Sequence, residues 1–269
     1  MAPVPMIVTC TVVVSSYSLD DRVAIVTGAG SGIGEAAARL LAANGLDVAL
    51  VGRRRERLDG VVEAITAAGG RAFAVPADLG QAQAPWEVVD AVLEARGRLD
   101  VIVNNAATYR LKPIEDFTLD DFDDVMATNL RAPYFLVQAA LPALRSSPAP
   151  VVVNVSSAAA VMYRPQQTVY GLAKAALEHM TMNMAAELAP DRIRVACVRP
   201  GPVLTEFHLA AEDPEERVRV LGTLVPLGRI GEPEDIALWI WHLVDPAAAW
   251  VTGTVISVDG GRVLGPPGV

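Results

Sequence analysis

Lysine is almost missing from this sequence. The chain has 269 residues and 22 basic side chains, of which only Lys112 and Lys174 are lysines. Acidic residues number 31, so the formal net charge at pH 7 is −9. A nucleic-acid-binding surface needs clustered positive charge, and an anionic membrane attracts polybasic segments. We therefore expect neither nucleic acid nor a membrane as a partner.

Cysteine is equally scarce. Cys10 and Cys197 are the two cysteines, and they lack the spacing of a metal site or a redox motif. Stable disulfides belong mainly to oxidising compartments. We expect two reduced thiols, no bound metal and a cytoplasmic location.

A long apolar run near the start of the chain is also lacking. Residues 6–14 are mostly apolar, but nine residues are too few to span a bilayer. No lysine or arginine precedes them, as one would in a signal peptide. We interpret residues 1–18 as a loosely attached N-terminal extension, with a cleaved leader as the alternative. Residues 19–269 then form a single domain.

Short β-branched segments alternate with alanine-rich helical segments along that domain. Each short segment is nearly continuous in apolar residues, as is typical of a strand buried on both faces. The alternation predicts an α/β fold, a Rossmann-like doubly wound parallel sheet of about seven strands. The predicted strands are residues 23–27, 48–51, 72–75, 101–104, 151–155, 194–198 and 255–258.

A glycine-rich turn follows the first predicted strand. The sequence VAIVTGAGSGIG ends the strand and begins a helix, with Gly28, Gly32 and Gly34 in the spacing G-x-x-x-G-x-G. Glycines let a pyrophosphate approach the backbone, and the start of a helix offers free N–H groups. Because the turn follows the first strand of a doubly wound sheet, it predicts a dinucleotide site.

The end of the second strand indicates which dinucleotide is preferred. Enzymes that prefer NAD place an acidic residue there for the ribose 2′-hydroxyl. This chain has Gly52 and then Arg53. A guanidinium suits a 2′-phosphate, so we expect NADP(H) to be preferred over NAD(H). We assign Arg55 and Arg57 to a solvated helix start.

Several motifs in order resemble the short-chain dehydrogenase/reductase family, in its single-domain form. They are TGAGSGIG, NNAA at residues 104–107, VNVSS at residues 153–157 and YGLAK at residues 170–174, and the resemblance covers residues 20–262. It implies an oxidoreductase that transfers a hydride between NADP(H) and a carbonyl or secondary alcohol. Tyr170 would be the catalytic acid/base, with Lys174 as its partner. Ser157 would bind the substrate oxygen, and Asn129 would support a proton relay.

The glycine turn and the resemblance together imply a set of cofactor-binding residues. Asp78 would contact the adenine, Asn104 would lie near a ribose, and residues 200–205 would close over the nicotinamide. Ala107 stands where the family usually has glycine, which could narrow the pocket. The full set is Gly28, Ser31, Gly32, Ile33, Gly34, Arg53, Asp78, Leu79, Asn104, Ala106, Tyr170, Lys174, Pro200, Gly201, Val203 and Thr205.

Lys174 follows Tyr170 by four residues, so the two share one face of a helix. A free tyrosine has a pKa near 10 and is a poor base at neutral pH. A nearby ammonium favours the phenolate, so we expect Lys174 to lower the pKa of Tyr170.

Three questions stay open at this point. Residues 200–229 have no strand signal and predict a lid or substrate loop. Arg164 either pairs with an acidic substrate or belongs to a solvated loop. We expect the protein to be an oxidoreductase that acts on a small ketone or alcohol. The alternatives are a 3-oxoacyl-(acyl-carrier-protein) reductase and a non-enzymatic dinucleotide sensor. The resemblance also implies a homo-oligomer, specifically a homotetramer.

Overall fold

The structure is a computed structural model that describes residues 21–205 and 213–265. The proposed extension at residues 1–18, which contains Cys10, lies outside the described residues. Residues 206–212 of the predicted lid also lie outside them.

Seven parallel strands form one sheet, which confirms the predicted fold class. Their order across the sheet is β3-β2-β1-β4-β5-β6-β7. The strands are β1 (Val23–Thr27), β2 (Asp47–Gly52), β3 (Arg71–Pro76), β4 (Val101–Asn104), β5 (Val151–Val155), β6 (Arg194–Pro200) and β7 (Val255–Val258). β2 and β3 are each one residue longer at both ends than predicted. Their pairing continues through Asp47–Arg71 and Gly52–Pro76, which are polar or turn-forming residues that a search for apolar runs leaves out.

Eight α-helices connect these strands within the described residues. They are α1 (Gly32–Ala43), α2 (Arg55–Ala67), α3 (Ala84–Arg96), α4 (Leu119–Met126), α5 (Ala132–Ser146), α6 (Thr168–Leu188), α7 (Pro214–Thr223) and α8 (Pro233–Val244). A single π-helical turn, Ala127–Arg131, joins α4 to α5. None of the helices in the described ranges is long and apolar enough to cross a membrane.

The helices cover both faces of the sheet because each strand is apolar on both sides. On β1, Ala24 and Val26 face α1, α2 and α8, whereas Val23 and Ile25 face the layer that contains α3 and α5. All five residues of β1 are buried. This alternation is the period of two expected of a strand, and it explains why the strands read as continuous apolar runs.

The chain order reverses between β1 and β4, which are neighbours in the sheet. Helices that leave neighbouring strands toward opposite faces open a crevice at the carboxyl ends of those strands. The glycine turn after β1 and the NNAA segment after β4 both lie at this edge. The fold therefore brings together motifs that are about 75 residues apart in the sequence.

Candidate active site

A cleft of about 550 Å³ lies at this edge of the sheet. It runs from the segment after β2, across the glycine turn, to the start of α6. Fifteen of the predicted site residues line it, namely Gly28, Ser31, Gly32, Ile33, Arg53, Asp78, Leu79, Ala106, Ser157, Tyr170, Lys174, Pro200, Gly201, Val203 and Thr205. Gly34, Asn104 and Asn129 are the predicted residues that the structure places behind its wall.

The glycine turn is held close to the segment that follows β4. Gly28 has φ +67°, and a Cβ there would lie 2.9 Å from Nδ2 of Asn105. A Cβ on Gly34 would lie only 2.2 Å from the carbonyl oxygen of Gly28. These positions exclude any side chain, so the start of α1 can approach the turn directly. The result is the exposed backbone cradle that a pyrophosphate needs, and the site fits a dinucleotide on this observation.

Asn105, rather than its neighbour, holds this cradle in place. Asn105 donates from Nδ2 to the carbonyl oxygen of Thr27 at 2.9 Å, and Thr27 Oγ1 accepts from the backbone N–H groups of Asn105 and Ala106, each at 2.9 Å. Asn105 also lines the cleft. Asn105 was not among the predicted site residues, although its position beside Asn104 is a visible signal in the sequence.

Asn104 lies inside the sheet. It is buried and donates from Nδ2 to Oδ1 of Asn154 on β5 at 2.9 Å. Asn154 in turn donates to Thr181 Oγ1 on α6 at 2.9 Å. Asn104 therefore joins two central strands to α6, and a contact with the cofactor ribose stays a prediction.

Several arginines surround the end of the cleft beside β2. Arg53, Arg54 and Arg57 all line it together with Gly52. Arg57 is exposed at the start of α2, as assigned, and it also lines the cleft. Arg55 points elsewhere and donates to both carboxylate oxygens of Asp59, at 2.9 and 2.8 Å.

Tyr170 and Ser157 meet at the other end of the cleft. Ser157 follows β5, and its Oγ accepts from the backbone N–H of Ala159 at 3.2 Å. Tyr170 lies in the first turn of α6, near enough to Ser157 for the Ser157 side chain to act on the pKa of its phenol. Gly171 permits this approach, since a Cβ there would lie 2.8 Å from the Ala159 carbonyl oxygen. The sequence thus brings two hydroxyl groups to one point.

The pKa of Tyr170 differs from the sequence expectation. Burial raises it to about 12, and the Ser157 side chain only partly opposes that effect. The predicted lowering by Lys174 is outweighed because removing a phenolate from water is costly. Tyr170 therefore holds its proton at neutral pH.

Lys174 lies beneath Tyr170 and is 2% exposed. Its Nζ donates to the carbonyl oxygen of Val155, at the end of β5, at 2.8 Å, and lies 5.8 Å from the centre of the Tyr170 ring. Burial lowers the pKa of Lys174 to about 8, against the opposite influence of Cys197 and Glu178. The ammonium is held in one place without a direct carboxylate partner in residues 21–205 and 213–265.

Asn129 lies in the π-helical turn and is fully buried. Its Oδ1 accepts from the Thr108 backbone N–H at 2.7 Å, and its Nδ2 donates to the Thr108 carbonyl oxygen at 2.8 Å. The side chain thereby fixes Thr108, which lines the cleft next to Tyr109. Its predicted part in a proton relay stays a prediction.

The segment after β6 lines the cleft, and its closure over the nicotinamide stays a prediction. Gly201 meets the backbone of Asp259, where a Cβ would be 2.8 Å from the Asp259 Cα. Leu204 then donates from its N–H to Gly231 O at 2.8 Å, and Gly231 donates to Pro202 O at 2.9 Å. These bonds form a bridge between Val203 and Gly231, which closes the base of the predicted lid. The described part of the lid contains α7.

A buried ion pair behind the cleft was missed by the sequence analysis. Glu178 accepts from Arg199 Nε and Nη2 at 2.7 and 2.6 Å, and from Ser156 Oγ at 2.7 Å. Arg199 also donates to Ser257 on β7 at 3.0 Å. The four-residue spacing from Lys174 to Glu178 is a signal for a shared helix face, but the partner on β6 has no local signal.

In residues 21–205 and 213–265, no group of three or more His, Cys, Asp or Glu side chains could hold a metal ion. Cys197 is a buried free thiol whose pKa burial raises to about 12.

The region that contains the cleft matches known oxidoreductases. A family model described as "Enoyl-(Acyl carrier protein) reductase" matches residues 28–262. An uncharacterised oxidoreductase of Methylorubrum extorquens is 40% identical over 245 residues, which cover 90% of this chain and 98% of the relative. The 7alpha-hydroxysteroid dehydrogenase of Escherichia coli K12 is 34% identical over 245 residues, covering 91% and 95%. A short-chain dehydrogenase from Burkholderia cenocepacia, solved in complex with NADP, superposes with a TM-score of 0.84 at 34% identity, covering 91% and 99%.

Removal of the Glu178 carboxylate should destabilise the fold strongly. Glu178→Ala leaves the Arg199 guanidinium largely buried without its partner, and we expect a loss of about 3–5 kcal/mol in the free energy of unfolding. The matched control is Asp59→Ala, which breaks the exposed pair with Arg55 and should cost about 1 kcal/mol or less. Urea titration of both variants checks this expectation. Equal losses in the two variants would contradict it.

Proposed function

Because the chain belongs to the short-chain dehydrogenase/reductase family, we propose that its NAD(P)-dependent oxidoreductase activity uses NADP(H) by preference and acts on a small carbonyl compound or secondary alcohol. The observation that carries the proposal is a single cleft that joins the glycine cradle to Ser157 and Tyr170. Bound nicotinamide would supply or accept the hydride in this cleft.

The cofactor-binding part of the cleft has three sections. Gly28, Gly32 and the N–H groups at the start of α1 suit the pyrophosphate. Asp78 and Leu79 follow β3 and line the cleft beside Gly52. We assign Asp78 and Leu79 to the adenine, and Lys174 and residues 200–205 to the nicotinamide half.

The protein's own side chains provide the proton chemistry. Ser157 and Tyr170 would both hold the substrate oxygen, since both line the cleft. Tyr170 keeps its proton at neutral pH, so a proton is present for it to donate as a carbonyl is reduced. Lys174 would hold the cofactor ribose and, together with Asn129, support reprotonation of Tyr170 from water.

The arrangement favours this proposal over the two alternatives. A reductase of carrier-bound acyl groups needs basic residues to dock an acidic carrier, and Arg145 is the one basic residue in the segment near β5 where they would be expected. Arg145 donates to Asp191 at 2.7 Å, so its charge is already paired. A dinucleotide sensor needs no proton donor, whereas Ser157 and Tyr170 both line this cleft.

Assembly into a homotetramer, in the cytoplasm, completes the proposal. Exposed apolar side chains lie on two separate parts of the surface. Tyr134 on α5 and Leu172 and Met182 on α6, each more than 40% exposed, belong to helices on one face of the sheet. Trp239, 40% exposed, belongs to α8 on the other face, and Trp250 before β7 is 99% exposed. Two different apolar faces can build an assembly with two kinds of contact.

The cofactor preference predicts a selective effect of Arg53→Ala. A charge-assisted hydrogen bond contributes about 1.5–3 kcal/mol, so NADPH affinity should fall roughly 10- to 100-fold while NADH affinity stays the same. Arg55→Ala is the matched control, because Arg55 is paired with Asp59 and should not affect either nucleotide. Fluorescence titration measures all four affinities. Tighter binding of NADH than NADPH to the unmodified protein would refute the preference.

The proton role predicts a separation between binding and turnover. Tyr170→Phe keeps the ring but removes the proton, so kcat should fall about 100- to 10,000-fold with NADPH affinity unchanged. Lys174→Ala should weaken NADPH binding as well as turnover. Steady-state rates and NADPH titrations of the two variants distinguish the roles, and near-normal turnover in Tyr170→Phe would exclude the mechanism.

The assembly predicts a tetramer mass in light scattering at micromolar concentration. Replacement of Trp239 by Glu should split the tetramer into dimers, because a charge would then be placed in one of the two apolar faces. A monomer mass for the unmodified protein would show the assembly to be wrong.

A further inference from the structure

The substrate end of the cleft begins at an aromatic contact. The ring of Tyr109 packs edge-on against that of Tyr170, with centroids 4.7 Å apart and the planes at 85°. Both tyrosines line the cleft. Tyr109 therefore marks the wall immediately beyond the reacting hydroxyl, on the side where the rest of a substrate must lie.

Two arginines are close to this wall. Arg164, from the segment before α6, and Arg217, from α7, both line the cleft. Burial raises the pKa of Tyr109, while Arg164 and Arg217 both act to lower it, which places both guanidinium groups within electrostatic reach of one phenol. Two arginines that are more than fifty positions apart in the sequence thus place their positive charges near Tyr109.

The Arg164 guanidinium is available to a ligand. Within residues 21–205 and 213–265 it has no hydrogen bond and no carboxylate within 4.0 Å. Burial is the main cause that lowers the pKa of Arg164, and the nearby charge of Arg262 lowers that pKa further. Glu115 and Lys112 border the adjoining cavity with Arg164, and Lys112 is paired with Asp121 at 2.5 Å.

Among the described residues, carboxylates are lacking on the side of Arg164 that faces the cleft. Among the described residues that line the cleft, Asp78 is the one carboxylate, and it lies at the opposite end beside Gly52. The arginines that suit the cofactor phosphate, Arg53 among them, are also at that opposite end. A chain with a net charge of −9 therefore presents positive charge at the substrate end without a carboxylate lining that end in the described structure.

We propose that the substrate carries an anionic oxygen group, a carboxylate or a phosphate, which Arg164 and Arg217 bind while Ser157 and Tyr170 hold the carbonyl or hydroxyl oxygen. Guanidinium groups bind such planar or tetrahedral anions through paired, charge-assisted hydrogen bonds. The inference rests on the proposed function, since it names the substrate class of that same site.

Pairs of probes that differ mainly in charge test whether the site prefers an anionic substrate. Levulinate against methyl levulinate and acetoacetate against methyl acetoacetate test a carboxylate, and dihydroxyacetone phosphate against dihydroxyacetone tests a phosphate. We expect the charged member of at least one pair to have a kcat/KM about 10- to 100-fold higher than its neutral partner. The pair that shows the difference identifies which anion the site takes.

Variants assign that difference to the two side chains. Arg164→Gln and Arg217→Gln should each lower kcat/KM for the charged probe about 10- to 100-fold and leave the neutral probe within about threefold. Arg219→Gln is the matched control, because Arg219 lies on the same helix and is paired with Glu216 at 2.6 Å on the surface. Equal loss for charged and neutral probes would overturn the inference, as would neutral probes that match or exceed the charged ones.

A further arm separates this inference from the proposed function. Turnover of a neutral diketone such as diacetyl with NADPH, without preference for any charged probe, supports the function and overturns the inference. If NADPH binds but no probe is reduced, the proposed function fails. The inference is then tested by how tightly each probe binds to the NADPH complex. Tighter association of charged than neutral probes with the NADPH complex, lost in Arg164→Gln, then supports it, and equal association overturns it.

Discussion

The burial of one ammonium group organises this site. A charge out of water is costly unless its surroundings hold it, and Lys174 is held by the carbonyl oxygen of Val155 where β5 ends. That contact fixes the height of α6 above the sheet. Tyr170, one turn earlier on the same helix, then reaches Ser157, which follows β5 directly. The geometry of two hydroxyl groups in the cleft thus depends on a lysine largely hidden below them.

The rest of the region behind the cleft supports α6 with paired polar groups. Glu178 ties the helix to Arg199 on β6, and Thr181 ties it to β5 through Asn154. These groups are buried, and each has a partner, so that they constrain position without leaving an unsatisfied group. A helix attached to two strands at successive turns has little freedom to tilt. Such rigidity suits a site in which two hydroxyls must share one substrate oxygen.

The strands were predictable because the signal for a buried strand, a continuous apolar run, lies in the strand's own residues. Five buried residues in β1 read as a continuous apolar run, and the same holds for β5, so that both strands were predicted at their observed bounds. The polar ends of β2 were not predictable, because they pair only through a neighbouring strand. Within the cleft, the glycine turn and Tyr170 followed from spacing and from the family resemblance.

Contacts between distant segments account for what the sequence did not reveal. Asn104 and Asn105 are chemically identical, and only the strand's alternation and the approach of Thr27 decide that Asn105 faces the cleft. Arg199 meets Glu178 because β6 lies beside α6, and nothing in its own neighbourhood indicates that. The pKa of Tyr170 depends on burial by residues from several elements, so a rule based on one neighbouring lysine predicted the wrong direction.

The hydrogen bonds that Gly231 forms with Leu204 and Pro202 mark the boundary between two parts of the molecule. They join the two ends of the segment that carries α7. The paired ends form a closed base beside the cleft. The entropy cost of a closed loop grows slowly with length, by about 0.6 kcal/mol for each doubling. The length of this segment can therefore change at little entropic cost, so the part of the cleft that α7 lines can vary while the glycine turn and α6 stay the same.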